Sequence, residues 1–149
     1  MSVIISNLVN LSLDVDNLID SNCDLNKQNE YGDTLLHIIC KLPSQDSLIN
    51  LQKMLSSGAN INMVNNNGYT PLMCLAKRCH LNDSIEMIEL LANAPDVNLN
   101  VRHKLTGFTA LAIASNAIYQ NNTQNVVQIL LAAGADPNVP DVTRKMYNN

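Results

Sequence analysis

Residues 65–77 read NNNGYTPLMCLAK. Gly68 supplies the positive φ of a tight turn. Thr70 stands where a helix N-cap is needed, and Pro71 fits the first helical position. Turn, cap and helix start therefore precede an apolar run. The string recurs as GDTLLHIIC from Gly32 and GFTALAIAS from Gly107, so the three glycines are 36 and 39 residues apart. A second string follows each one: MLSSGANIN from Met54, LLANAPDVN from Leu90 and LLAAGADPN from Leu130. A further copy, LIDSNCDLN from Leu18, precedes them all. Asn26, Asn62, Asn98 and Asn138 close the four copies, at spacings of 36, 36 and 40. Self-similarity at this period marks a stacked repeat architecture.

Each unit has a physical reading. The turn glycine (Gly32, Gly68, Gly107) is followed two residues later by a capping threonine (Thr34, Thr70, Thr109). Apolar positions at helical spacing come next: Leu36, Ile39 and Cys40, then Leu72, Leu75 and Ala76, then Leu111 and Ala114, with Ser115. A polar break follows, at Pro43 and Ser44, at Asn82 and Asp83, and at Asn121 and Asn122. A second helix then carries Ile49, Leu51, Met54 and Leu55, or Ile85, Ile88, Leu90 and Leu91, or Val126, Val127, Leu130 and Leu131. Gly58 and Gly134 stop it in a left-handed conformation.

Apolar residues make up 46% of the 149 residues but aromatics only 3%, so the core rests on aliphatic side chains in helices packed close together. The net charge is −4, and the nine Lys and Arg are scattered along the sequence, which argues against nucleic acid as a partner. No apolar run approaches the ~20 residues that span a bilayer. The first ten residues lack the basic start of a signal peptide. A soluble intracellular, cytoplasmic protein is expected. The cysteines Cys23, Cys40, Cys74 and Cys79 match no zinc spacing and are read as apolar filler, with no metal and no cofactor.

Turn, G-x-T-P-L-H, helix, turn, helix and L-L-x-x-G-A-D-x-N together resemble the ankyrin repeat, from about residue 12 to 138. The resemblance implies an all-α solenoid of stacked helix-turn-helix units with projecting β-hairpin loops, a protein-binding role and no catalysis. The chain then divides into a degenerate N-terminal cap (1–26), three repeats (27–62, 63–98, 99–138) and a tail or unfinished repeat (139–149) within one domain. The cap draws on Ile4, Ile5, Leu8, Val9, Leu11, Val15, Leu18 and Ile19. The unfinished C-terminal hairpin suggests a piece of a longer array. Each unit carries three or four residues beyond the family's usual length, assigned to the break between helices. Leu35 and Ala110 replace the family proline, and only the first unit keeps the histidine, His37. Ala94 precedes Pro95 and is biased away from helical geometry. The second helix of that unit is therefore expected to end early, the hairpin at 99–106 to be long, and units two and three to leave regular register.

His37 beside Cys40 has the makings of a base and nucleophile, but its place in the repeat assigns it to the Thr34 cap and nearby backbone. His80 and His103 have no carboxylate placed to orient them. Asp14, Asp16 and Asp20 form a solvated acidic face. The residues flanking each turn glycine and closing each first helix face the concave side of such a stack. They are Glu30, Tyr31, Asp33, Lys41 and Leu42, then Asn66, Asn67, Tyr69, Lys77 and Arg78, then Leu105, Thr106, Phe108 and Asn116, with Ala117 beside it. They include three of the five aromatics, and aromatics concentrate interface energy. Tyr69 and Phe108 are expected as apolar anchors, with Lys77 and Arg78 facing an acidic patch.

The expected function is that of a monomeric adaptor or inhibitor binding another protein, with neither nucleic acid nor membrane involved. A structural segment of a larger scaffold is the alternative, and an enzyme a remote one. The 23 asparagines suggest a viral or intracellular-pathogen source acting in the host cytoplasm or nucleus.

Overall fold

The computed structural model describes residues 15–42, 44–79, 83–117 and 122–141. The expectations placed on Ile4, Ile5, Leu8, Val9, Leu11, Asp14, Pro43, His80, Asn82, Asn121 and the tail after Asp141 lie outside these residues. Among the described residues there are seven helices and no strand: α1 (Val15–Asp20), α2 (Leu35–Lys41), α3 (Ser47–Ser56), α4 (Pro71–Ala76), α5 (Asp83–Ala92), α6 (Ala110–Asn116) and α7 (Thr123–Ala132). The all-α reading holds. The helices form two layers. The short α2, α4 and α6 pack in sequence, α1, α3, α5 and α7 pack in sequence behind them, and each hairpin closes α2 on α3, α4 on α5 and α6 on α7.

Sequence explains the starts of α4 and α6. Thr70 Oγ1 accepts the Met73 N–H at 3.2 Å and Thr109 Oγ1 accepts that of Ala112 at 3.3 Å. Pro71 sits inside the first turn of α4, where no N–H partner is needed. Cys40, Ala76 and Ala114 are buried between the inner helices, and their small volume permits close helix approach. Leu36, Leu51, Met54, Leu75, Ile88, Leu91 and Leu130 fill the space between layers.

The outer helices end in a repeated way. Asn22 (φ 53°), Gly58 (φ 84°) and Gly134 (φ 99°) are left-handed. The next residue's N–H reaches back to close the helix: Cys23 to the Leu18 carbonyl (3.4 Å), Ala59 to Met54 (3.1 Å) and Ala135 to Leu130 (2.9 Å). At the equivalent place in α5 stands Ala94-Pro95. Proline has no N–H to return, and no left-handed residue appears there. α5 nevertheless does not end early: α3, α5 and α7 are each 10 residues long. The proline acts one step later, at the second position of a turn closed by the Val97 N–H on the Ala94 carbonyl (3.2 Å).

That turn consumes two residues, and the stack compensates. Asn26 Oδ1 accepts the Asn60 N–H (2.7 Å), Asn62 Oδ1 that of Asn98 (2.8 Å), and Asn100 Oδ1 that of Asp136 (2.9 Å). The third-unit counterpart of Asn62 is thus Asn100, not Asn98, and part of the extra length lies after the second helix rather than between helices. With this shift the ladder of asparagines runs unbroken across the joint between units two and three, where irregular register was expected. The connecting loops are tight turns with one closing rung each, Asn29 N–H to the Asp33 carbonyl, Asn65 to Tyr69 and His103 to Phe108. The third is one residue longer, as expected. A capping threonine follows each rung directly, which leaves no room for a second.

Candidate partner-binding flank

The three loop tips are stacked by their own glycines. Gly32 is left-handed (φ 72°), and a Cβ there would lie 2.5 Å from the Asn66 nitrogen. Gly68 (φ 80°) lies against the Lys104 backbone. The Asn66 N–H donates to the Tyr31 carbonyl at 3.0 Å and Asn66 Nδ2 to the Glu30 carbonyl at 2.9 Å. Absence of a side chain lets one tip rest on the next, and the second tip's amides bind the first.

Behind the tips, the residue ending each inner helix returns over the residue after the turn glycine. Lys41 Nζ lies 2.6 Å from Asp33 Oδ2, and Lys77 Nζ lies 4.9 Å from the centre of the Tyr69 ring. Phe108 and Asn116 hold the corresponding places in the third unit. Tips and helix ends therefore form one continuous flank.

The predicted residues divide on this flank. Glu30, Asn67, Lys77 and Asn116 are exposed, as are Tyr31 (62%), Leu42 and Leu105 (77%). Thr106 and Phe108 are half-buried, the Thr106 hydroxyl lying 2.9 Å from His103 Nδ1 and accepting the Phe108 N–H. Tyr69 is half-buried against His103, ring centres 4.5 Å apart. Asp33 does not face a partner. It is only 6% exposed, and its carboxylate is held by Lys41 and by Asn65 Nδ2 (2.7 Å). Asn66 is spent on the first tip. Arg78 is half-buried, and its Nη1 donates to the Cys40 carbonyl at 2.8 Å, tying α4 to α2.

His37 and Cys40 do not form a base–nucleophile pair. His37 Nδ1 accepts the Thr34 N–H at 3.1 Å and lies 2.8 Å from the Thr34 hydroxyl, so the proton sits on Nε2, which donates to the Tyr69 carbonyl at 2.8 Å. Both ring nitrogens are occupied. Burial lowers the His37 pKa against the smaller opposing effects of the Tyr69 carbonyl and Asp33. Burial raises the Cys40 thiol well above its usual value and pushes Cys74 up to about 11. A thiol kept protonated is a poor nucleophile. His103 makes a similar pair of bonds across the next joint. Its Nδ1 accepts the Thr106 N–H, and its Nε2 donates to the Asn67 carbonyl at 2.7 Å. Asn65, which receives the Asn67 and Tyr69 amides, and His103 were both missed as loop organisers. Their common place three residues after Asn62 and Asn100 is the signal that finds them. Among the described residues, no cluster of His, Cys, Asp and Glu suits a metal ion, and no helix is long and apolar enough to cross a membrane.

Two overlapping matches to the family model for ankyrin repeats (3 copies), at residues 6–82 and 44–141, cover most of the sequence. The chain belongs to the ankyrin-repeat family. Ankyrin repeats generally mediate protein–protein interaction. A 50-residue stretch of this ankyrin chain is 52% identical to the mitochondrial disaggregase of Homo sapiens, covering 34% of this chain and 6% of that protein. The mitochondrial disaggregase of Bos taurus is 48% identical over 50 residues, 34% of this chain and 7% of its own length. The chain thus spans a small part of these curated relatives.

Proposed function

We propose that this ankyrin chain binds another protein through the flank of loop tips and inner-helix ends, acting as a monomeric adaptor or inhibitor. The observation that supports the reading is the exposure of Tyr31, Leu42 and Leu105 on the flank, three of the six large apolar side chains that are exposed among the described residues, the others being Ile49, Val64 and Leu131. Tyr31 on the first tip and Leu105 on the third put exposed apolar side chains at both ends of the row of tips, where a partner laid along the flank would meet them. Tyr69 and Phe108, half-buried, frame this surface rather than anchor the partner. None of Cys23, Cys40, Cys74 and Cys79 is in a disulfide, which suits a reducing compartment inside a cell. A host protein as target rests on the asparagine-rich composition alone.

The test is a Tyr31→Ser/Leu105→Ser double variant. Proteins retained from a cell lysate by the wild type should be lost, with Tm nearly unchanged, because both side chains are exposed. Undiminished retention by the variant would remove this flank from consideration.

A further inference from the structure

Charge is partitioned between the layers. Among the described side chains, the outer helices carry Asp16, Asp20, Glu86 and Glu89, against one base, Lys53, which is paired with Asp16 at 2.6 Å. The inner flank has the opposite sign. Lys77 and Arg78 close α4, and Arg102 and Lys104 lie on the third loop. Among the described residues, no carboxylate forms an ion pair with any of the four. The carboxylates of this flank are Glu30 and Asp33, both on the first loop, and Asp33 is closed off by Lys41. A protein of net charge −4 thus holds four positive charges on one face of its second and third units.

Resting on the binding role given above, we propose that this flank receives an extended polypeptide segment that is acidic where it crosses units two and three. Two apolar side chains of units two and three stand beside a positive charge: Leu105 follows Lys104, and Lys77 lies over the Tyr69 ring. That pattern fits a chain alternating carboxylates with apolar side chains. Neighbouring helices pack about 8–10 Å apart, so three tips span roughly 20 Å, which an extended chain covers in about six residues. A nucleic acid is disfavoured, because the remainder of the surface is acidic and repels a polyanion. Glu30 at the first loop fixes direction, since it repels the acidic end of the segment.

The test is selection of random phage-displayed peptides of roughly twelve residues on the immobilised chain, followed by anisotropy titration of the selected peptide. The selected peptides should be rich in Asp and Glu. Lys77→Glu/Lys104→Glu should weaken binding about tenfold or more, while Lys53→Gln on the outer layer leaves it unchanged. Binding should fall as salt rises. Neutral or basic selected peptides, or no enrichment, overturn the proposal. So does tighter binding of a labelled single-stranded oligonucleotide, or concentration-dependent self-association in sedimentation that Lys77→Glu/Lys104→Glu abolishes. A neutral peptide whose binding is lost in Tyr31→Ser/Leu105→Ser but not on charge reversal sinks the acidic segment and leaves the flank standing. Binding indifferent to both double variants sinks both readings.

Discussion

Single side chains in this array serve two units at once. His37 caps α2 through Thr34 and fastens the next loop through the Tyr69 carbonyl. His37→Ala removes both buried bonds and leaves a void, a loss of about 2–4 kcal/mol in a urea titration. The same residue gives a pH signature. Its folded pKa lies below the ordinary 6.5, with burial the leading cause, so the unfolded chain takes up the proton first as pH falls. The contribution is complete above about pH 6.5 and declines as pH drops below it. The difference in urea midpoint between wild type and His37→Ala should therefore shrink from pH 7.5 toward pH 5, and a difference that grows contradicts the neutral ring. His37 was legible in the sequence because its partners, Thr34 and the local backbone, are set by the repeat. Asp33 was not. Its position in the repeat puts it on the binding flank, but the chance presence of Lys41 in its own unit and Asn65 in the next turns it inward.

Helix ends show where element-level reading succeeds and where it slips. Glycine at 58 and 134 announces the left-handed stops, and Asn22 fills the same role in the first copy because asparagine tolerates that conformation. Open space surrounds a Cβ added at Gly58, so Gly58→Ala measures backbone strain alone, a loss of about 1 kcal/mol. Asn22→Gly relieves that strain and should gain roughly 0.5 kcal/mol. Thermal melts of the two variants should move in opposite directions, and a Gly58→Ala melt equal to wild type would show that the stop carries no strain. Pro95 was read correctly as a disturbance but placed too early. The helix end at Ala92 is fixed by packing of α5 between α3 and α7, which overrides a local bias two residues beyond it. The two-residue slip of the asparagine ladder was hidden because Val97-Asn98 and Leu99-Asn100 are alike as pairs. Only the turn at Ala94–Val97 selects the second. Much of the asparagine content thereby acquires a local cause, in loops that demand an acceptor two residues before a backbone amide.

At the scale of the molecule, the period alone implied an array, and an array distributes stability differently from a globule. Units touch only their neighbours, so stability is close to a sum of unit and interface contributions. α4 packs mainly on α2, α5 and α6, whereas α7 packs mainly on α5 and α6. Leu75 in α4 and Leu130 in α7 are both fully buried, and truncation to alanine removes the same atoms. Each change should reduce local stability by about 3 kcal/mol. The consequences differ because of place. Leu75→Ala weakens the unit through which the others are joined, so amide exchange should quicken in α2, α4 and α6 alike. Leu130→Ala weakens an outer unit that opens without its neighbours, so exchange should quicken in α6 and α7 while α2 and α3 keep their protection. The end of α4, which carries Lys77, and the third loop tip, which carries Lys104, then both loosen in the first variant, and the third loop tip alone in the second. Equal loss of protection along the whole chain in both variants would mean that the units open as one body, and the nearest-neighbour account of this stack would fail.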